Sequence, residues 1–325
     1  MALGGCSSFA SAAALVLAWS TSAWAQVAAG AAAFPNQAVR IVVPFSAGST
    51  TDGQARVIAE KLSELWKQQV IVENRPGIAG TASVAKAPAD GHTLMLTSSG
   101  HTIAGVINRN LPFDPVKDFV GVTQVSTVPV GFMVPPDLPA KTIGEFIALA
   151  RERPGKLNFA SAGRASSSYI AGELFKQTAK IDIVHVPHKG APEALTSVLR
   201  GDSHLFVASV STSIDLIATG KLGILAVARR VASLPDVPTV AESGLPEYSY
   251  DSWFGVLAPA QMPRAVLLRI SEDIARVLRM PDVRDRMIRQ GVEIVTQSPD
   301  EFTETIRRDT ERYTRVLTQA GVGAE

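Results

Sequence analysis

The chain has 325 residues, 31 basic and 30 acidic, a formal net charge of +1 at pH 7, and 46% apolar side chains. That length suits one large or two medium domains, and the balanced charge excludes a protein that holds nucleic acid by a basic surface. The single cysteine is Cys6, so the chain beyond it offers no disulfide, thiol nucleophile or cysteine metal ligand.

Residues 1–25 read as a secretory leader. Ala10 to Trp19 is nearly all apolar or small, and Ala23-Trp24-Ala25 fits the small-x-small cleavage pattern, with the cut before Gln26. The apolar run is about half the ~20 residues needed to span a bilayer. No Lys or Arg precedes Arg40, so the usual basic start is missing. Export is expected.

Val39–Phe45 reads as an apolar strand entering a loop of small residues, Ser46, Ala47, Gly48, Ser49, Thr50 and Thr51. Asp52 then opens a helix, Gly53–Gln68, in which Ala55, Ile58, Leu62, Leu65 and Trp66 recur at helical spacing. Such a loop presents backbone N–H groups at a helix N-terminus, where the dipole favours an anion. Val70–Glu73 is a strand closed by Asn74-Arg75-Pro76-Gly77, Ala79–Ala87 a short helix, and Thr93–Thr97 a strand. An irregular stretch from Ser98 to Lys117 carries Ser99 and His101. Val122–Val134 is extended, and Thr142 caps a helix that runs to Arg153.

Leu157–Ala160 is a strand followed by Ser161, Ala162, Gly163, Arg164, Ala165, Ser166, Ser167 and Ser168, then by a helix with Ile170, Leu174 and Phe175 on one face. The opening pattern of strand, small polar loop and helix start thus recurs 115 residues downstream. Two such loops, one per lobe, would face each other across a cleft. Ile181–Val186, Leu205–Val210 and Leu222–Ala228 read as strands, and Ala191–Arg200 and Thr212–Thr219 as helices. Trp253–Ala258 is extended, Pro263–Arg279 a helix with proline in its first turn. Glu301–Thr318 is a terminal amphipathic helix with Phe302, Ile306, Tyr313, Val316 and Leu317 as core positions.

This alternation predicts an α/β fold with largely parallel sheets. Two extended crossovers, 123–134 and 249–258, predict a middle domain (135–248) inserted into a first (34–122 plus 259–325). Such a pair can close about a hinge.

Enzyme motifs are mostly missing: no GxSxG, HExxH or P-loop, and no GxGxxG opening the first helix. His185 and His188 are three apart on a strand and its exit, which splits them across its faces and argues against a shared metal. No metal or other cofactor is expected. Ser98 or Ser99 with His101, and Asp114 or Asp118 downstream, leave a secreted serine hydrolase as an alternative. Sequence adjacency is not triad geometry, and a polar loop lining a cleft is favoured. Each small-residue loop alone is an ordinary helix cap; their recurrence in an exported chain favours anion binding. Arg164 is the one strong cation in either loop, able to pair bidentately with a carboxylate or to face solvent.

From Phe34 onward the chain resembles the Bug-type (Bordetella uptake) receptors, the substrate-binding proteins of tripartite tricarboxylate transporters. The matching segments include Val72-Glu73-Asn74-Arg75-Pro76-Gly77, Ala89-Asp90-Gly91-His92-Thr93-Leu94, Pro154-Gly155-Lys156-Leu157-Asn158-Phe159-Ala160-Ser161-Ala162-Gly163, His185-Val186-Pro187-His188-Lys189-Gly190 and Trp253-Phe254-Gly255-Val256-Leu257-Ala258-Pro259. The resemblance implies a two-lobed α/β periplasmic binding protein, type II-like, each lobe a mainly parallel sheet flanked by helices, closing like a Venus flytrap. It implies a non-enzyme in the periplasm, a monomer serving a membrane permease. A receptor docking on a sensor-kinase ectodomain is the alternative.

The resemblance also implies a carboxylate held partly through water by Ser46 to Asp52 and Ser161 to Ser168, with Ser98 to His101 completing the wall. Several positions depart from the family pattern. Ala47-Gly48-Ser49 replaces a common Pro-Gly-Gly, Arg164 and Ala165 replace small or amide residues, Tyr169 replaces His, and His188 replaces Tyr. Ala208 stands where many members carry Asp. The missing acid at Ala208 argues against an amino-acid ligand, and Arg164 favours a second anionic group. A di- or tricarboxylate or an aromatic carboxylate is expected.

Overall fold

A computed structural model of the protein describes residues 34–319 except 109, 232, 290 and 291. The leader assigned to residues 1–25 lies outside the described residues.

Strands β1 (Val39–Val43), β2 (Val70–Asn74) and β3 (Thr93–Ser98) pair in parallel in the order β2-β1-β3. Helix α1 (Thr50–Trp66) connects β1 to β2, and α2 (Ile78–Ala85) connects β2 to β3. Beside β3 lies β9 (Asp251–Pro259), antiparallel to it, and beyond β9 the long strand β4 (Phe119–Val134), antiparallel again. β4 continues into a second sheet. Up to Pro129 it pairs with β9, and from Val130 it pairs with β7 (Leu205–Ser209). β8 (Gly223–Val227) also pairs with the second half of β4. β5 (Asn158–Ser161) and β6 (Val184–Pro187) extend the second sheet in parallel with β7, in the order β7-β5-β6.

Each sheet is buried on both faces, which explains the nearly continuous apolar runs of β1, β3 and β7. Under the first sheet, Ile41 and Leu94 pack on Ile58 and Leu62 of α1 and on Ile270 of α8 (Arg264–Leu278). Its other face buries Met95, Trp253, Leu257 and Phe302. In the second sheet Phe132 and Phe159 pack against Phe175 of α5 (Ser167–Ala179) and Tyr248. The terminal helix α10 (Pro299–Gln319) serves both units. Phe302 and Ile306 join the core of the first sheet, Tyr313 and Leu317 that of the second.

The α/β architecture is as expected, and the sheets are mixed, because both crossover strands return antiparallel to their neighbours. Helix α1 begins at Thr50, three residues before its expected start. Ser49, not Asp52, is its cap, accepting a hydrogen bond from the Asp52 N–H at 3.2 Å. Pro263 likewise caps α8 from outside rather than standing in its first turn. Helix α9 (Pro281–Arg289) and β10 (Glu293–Ile294) were not expected. Val283 and Met287, the buried residues of α9, stand four apart at helical spacing, a short signal that sequence reasoning passed over.

Candidate functional site

The β1–α1 loop and the loop between β5 and α5 both end at helix N-termini in the cleft between the two sheets. Ser166 caps α5, accepting from the Tyr169 N–H at 3.3 Å. Much of each loop's hydrogen-bonding capacity is spent on the loop itself. Gly48 N–H donates to Asp52 at 2.9 Å. Ala162 N–H donates to the Ser168 hydroxyl at 3.0 Å and Gly163 N–H to that of Ser161 at 3.2 Å.

Asp52 is buried and also receives Asn74 at 3.0 Å and Arg56 at 3.1 Å. Burial works to raise its pKa, but Arg56, the Gly48 N–H and Asn74 outweigh that and hold it below the usual carboxylate range. Asp52 therefore shapes the loop from behind rather than lining the cleft.

The cleft contains two adjoining spaces. The larger, about 520 Å³, is lined on one side by Phe45, Thr97, His101 and Ile107, and on the other by Gly163, Arg164, His188 and Lys189. The smaller, about 40 Å³, is ringed by hydroxyl residues: Ser49, Thr50 and Thr51 of α1's start, Ser98 at the end of β3, Ser166 to Ser168 at α5, and Ser209 at the end of β7. Phe45 and Ala162 line both spaces. Ser46, Gly163, Arg164 and His101 fall on the larger side; Ser49, Thr50, Thr51, Ser98, Ser166, Ser167 and Ala208 on the smaller. Ala47, Gly48, Asp52, Ser99 and Ser161 line neither.

Ser98 is the informative member. It is 2% exposed, and its Oγ has no hydrogen-bond partner among the described residues. A buried unsatisfied hydroxyl costs about 1–3 kcal/mol, and Ser98 is among the residues that line the smaller space.

Nothing joins Ser98, Ser99 and His101 into a catalytic set. The Ser99 hydroxyl pairs with that of Tyr250 at 2.7 Å, and His101 Nε2 lies 2.8 Å from the Pro115 carbonyl. A carbonyl only accepts, so Nε2 carries the proton. Burial drives the His101 pKa down to about 4, against the pull of that carbonyl, and the ring stays neutral. His185 is also held near 4, by burial first and then by the charges of Arg164, His188 and Lys176; its Nε2 meets Ser161 Oγ at 2.7 Å. Among the described residues no group of three His, Cys, Asp or Glu is placed to hold a metal.

The two sides of the cleft touch. Ser46 Oγ donates to the Lys189 carbonyl at 2.9 Å, and the Thr50 and Ser211 hydroxyls lie 2.8 Å apart. Sequence reasoning missed Ser209 and Ser211. The signal was present: Leu205–Ser209 followed by Val210-Ser211-Thr212-Ser213 is a third strand running into a small polar loop.

A family profile described as "Tripartite tricarboxylate transporter family receptor" matches residues 54–322. Protein BugT of Bordetella pertussis is 31% identical over 89% of this chain and 90% of its own length. Among solved structures, R. palustris Rpa4515 with adipate aligns at a TM-score of 0.85 and 32% identity, covering 90% of this chain and all of that one. MatC (Rpa3494) from Rhodopseudomonas palustris with bound malate aligns at 0.83 and 29%, covering 87% and all. With a periplasmic-binding-protein fold and relatives along nearly its whole described length, the chain belongs to the tripartite tricarboxylate transporter receptor family, as a Bug-type receptor.

Proposed function

We propose that this receptor captures a small carboxylate in its cleft, in the periplasm, and delivers it as a monomer to a permease of the tripartite tricarboxylate type. The observation that carries this reading is Ser98, whose buried hydroxyl has no partner among the described residues and which lines a space bounded by the N-termini of α1 and α5. Two helix N-termini and a ring of hydroxyls suit a carboxylate and its bridging water. The bound adipate and malate of the two related structures support the same ligand class. Bending falls where β4 leaves one sheet at Pro129–Val130 and where the chain enters β9 near Asp251. The work of the site is capture and release, not turnover.

A thermal-shift screen of the chain from Gln26 onward, refolded to strip carried-over ligand, tests this. A ligand at about 100 times its Kd adds about 2.7 kcal/mol of stability. Stabilisation by at least one mono-, di- or tricarboxylate is expected. No shift with any of them overturns the carboxylate reading. Uptake of the ligand by membranes bearing the permease, dependent on added receptor, tests delivery.

A further inference from the structure

The hydroxyl-ringed space alone, at about 40 Å³, holds little more than a carboxylate head and a water. The adjoining chamber of about 520 Å³ falls within the range of sites that enclose whole organic ligands. Its walls are largely apolar: Phe45, Pro76, Ile78, Ala104, Ile107 and Phe113. Two cationic residues, Arg164 and Lys189, belong to the lining, and no Asp or Glu does. His188 stands on the same side, and its Nε2 is buried with no hydrogen-bond partner among the described residues. A short hydroxylated acid would leave this apolar surface wet and wasted, whereas a ring or a methylene chain would cover it.

We propose that the chamber receives the apolar body of the ligand, so that this receptor selects dicarboxylates with a ring or chain between their acid groups over short or heavily hydroxylated ones. This rests on the carboxylate reading above. One carboxylate sits among the hydroxyls at Ser98, the body passes between Phe45 and Ala162, which line both spaces, and the second acid lies on the Arg164–Lys189 side. The chamber thus sets specificity, while the hydroxyl ring sets the requirement for an acid.

Calorimetric titration of the refolded, ligand-stripped protein with terephthalate, adipate, malate and citrate tests it. Terephthalate or adipate should bind at least ten-fold more tightly than malate and citrate. Ala104→Phe, which fills the chamber, should remove most of that advantage. Ile78→Trp narrows its mouth at a residue 39% exposed, where a larger side chain does not endanger folding, and should weaken the favoured ligand at least five-fold. Tighter or equal binding of malate or citrate overturns the chamber's role and leaves the carboxylate reading standing. So does a favoured ligand indifferent to Ile78→Trp. Failure of all four acids overturns the chamber's role, and the carboxylate reading falls with it only if the thermal-shift screen of mono-, di- and tricarboxylates is blank as well.

Discussion

Ser46 and Gly190 meet across the cleft: the serine hydroxyl donates to the carbonyl next to Gly190, and a Cβ on that glycine would lie 2.5 Å from Ser46 Oγ and 2.8 Å from its Cβ. Gly190 is extended, so alanine fits the backbone and only the opposite wall objects. Gly190→Ala should therefore prop the cleft open. Overpacking of this kind costs about 1–3 kcal/mol, enough to lower ligand affinity by about ten-fold. Small-angle scattering should report a larger radius of gyration for the variant; identical curves would refute the contact.

Ser98→Ala should separate binding from stability. The hydroxyl has no hydrogen-bond partner among the described residues, so its loss leaves folding stability unchanged or slightly raised. Ligand affinity should fall by roughly ten-fold, since a hydrogen bond to a charged group is worth about 1.5–3 kcal/mol. A variant that unfolds earlier yet binds normally would show that Ser98 serves the fold alone.

Acid should weaken the fold before the carboxylates titrate. His101 and His185 have pKa values near 4 in the folded protein, against about 6.5 in the unfolded chain. Between those values the unfolded state binds more protons, so stability is full above about pH 6.5 and declines as pH falls towards 4. Urea unfolding at pH 7 and pH 5 should show the loss. His185→Gln should shrink the difference between the two pH values; an unchanged difference would mean that His185 is protonated when folded.

Phe302 anchors the terminal helix beneath β4 and β9, edge-on to Trp253, whose indole N–H donates to Asp309 at 2.9 Å. Gly121 and Gly255 lie against the ring so closely that a Cβ at either has no room. Phe302→Ala should cost about 3–5 kcal/mol, the usual toll of emptying an aromatic core site. Gly255→Ala should destabilise by overpacking instead. Combining them should recover part of the loss, because the added methyl then enters the vacated volume; strictly additive melting shifts would contradict this packing.

Much of the fold was legible because its signals are local. Apolar runs and helical periodicity marked most elements, and Thr142 marked the cap of its helix. The two loops were legible as helix starts, but their division between two spaces was not. Phe45 and Ala162, which line both spaces, come from two loops 117 residues apart in the chain, a juxtaposition that no local pattern encodes. Asp52 read as part of the carboxylate site because the family resemblance covers Ser46 to Asp52 as one segment. Arg56 and Asn74, one helical turn and one strand away, draw it inward. The antiparallel return of β9 was invisible too, since strand direction is fixed by tertiary pairing rather than by composition.

The position of β9 dictates an order of assembly. Its strand fills the gap between β3 and β4, yet it is encoded at 251–259, well after both. The second sheet draws on one continuous stretch, from Val130 to Val227. A chain emerging from its N-terminus can therefore complete that sheet early, while β3 and β4 hold bare edges open for their missing neighbour. Such edges pair readily with other chains. The time between the emergence of residue 134 and residue 259 is when this protein is most exposed to aggregation, and a chaperone guarding it would have those two edges to cover.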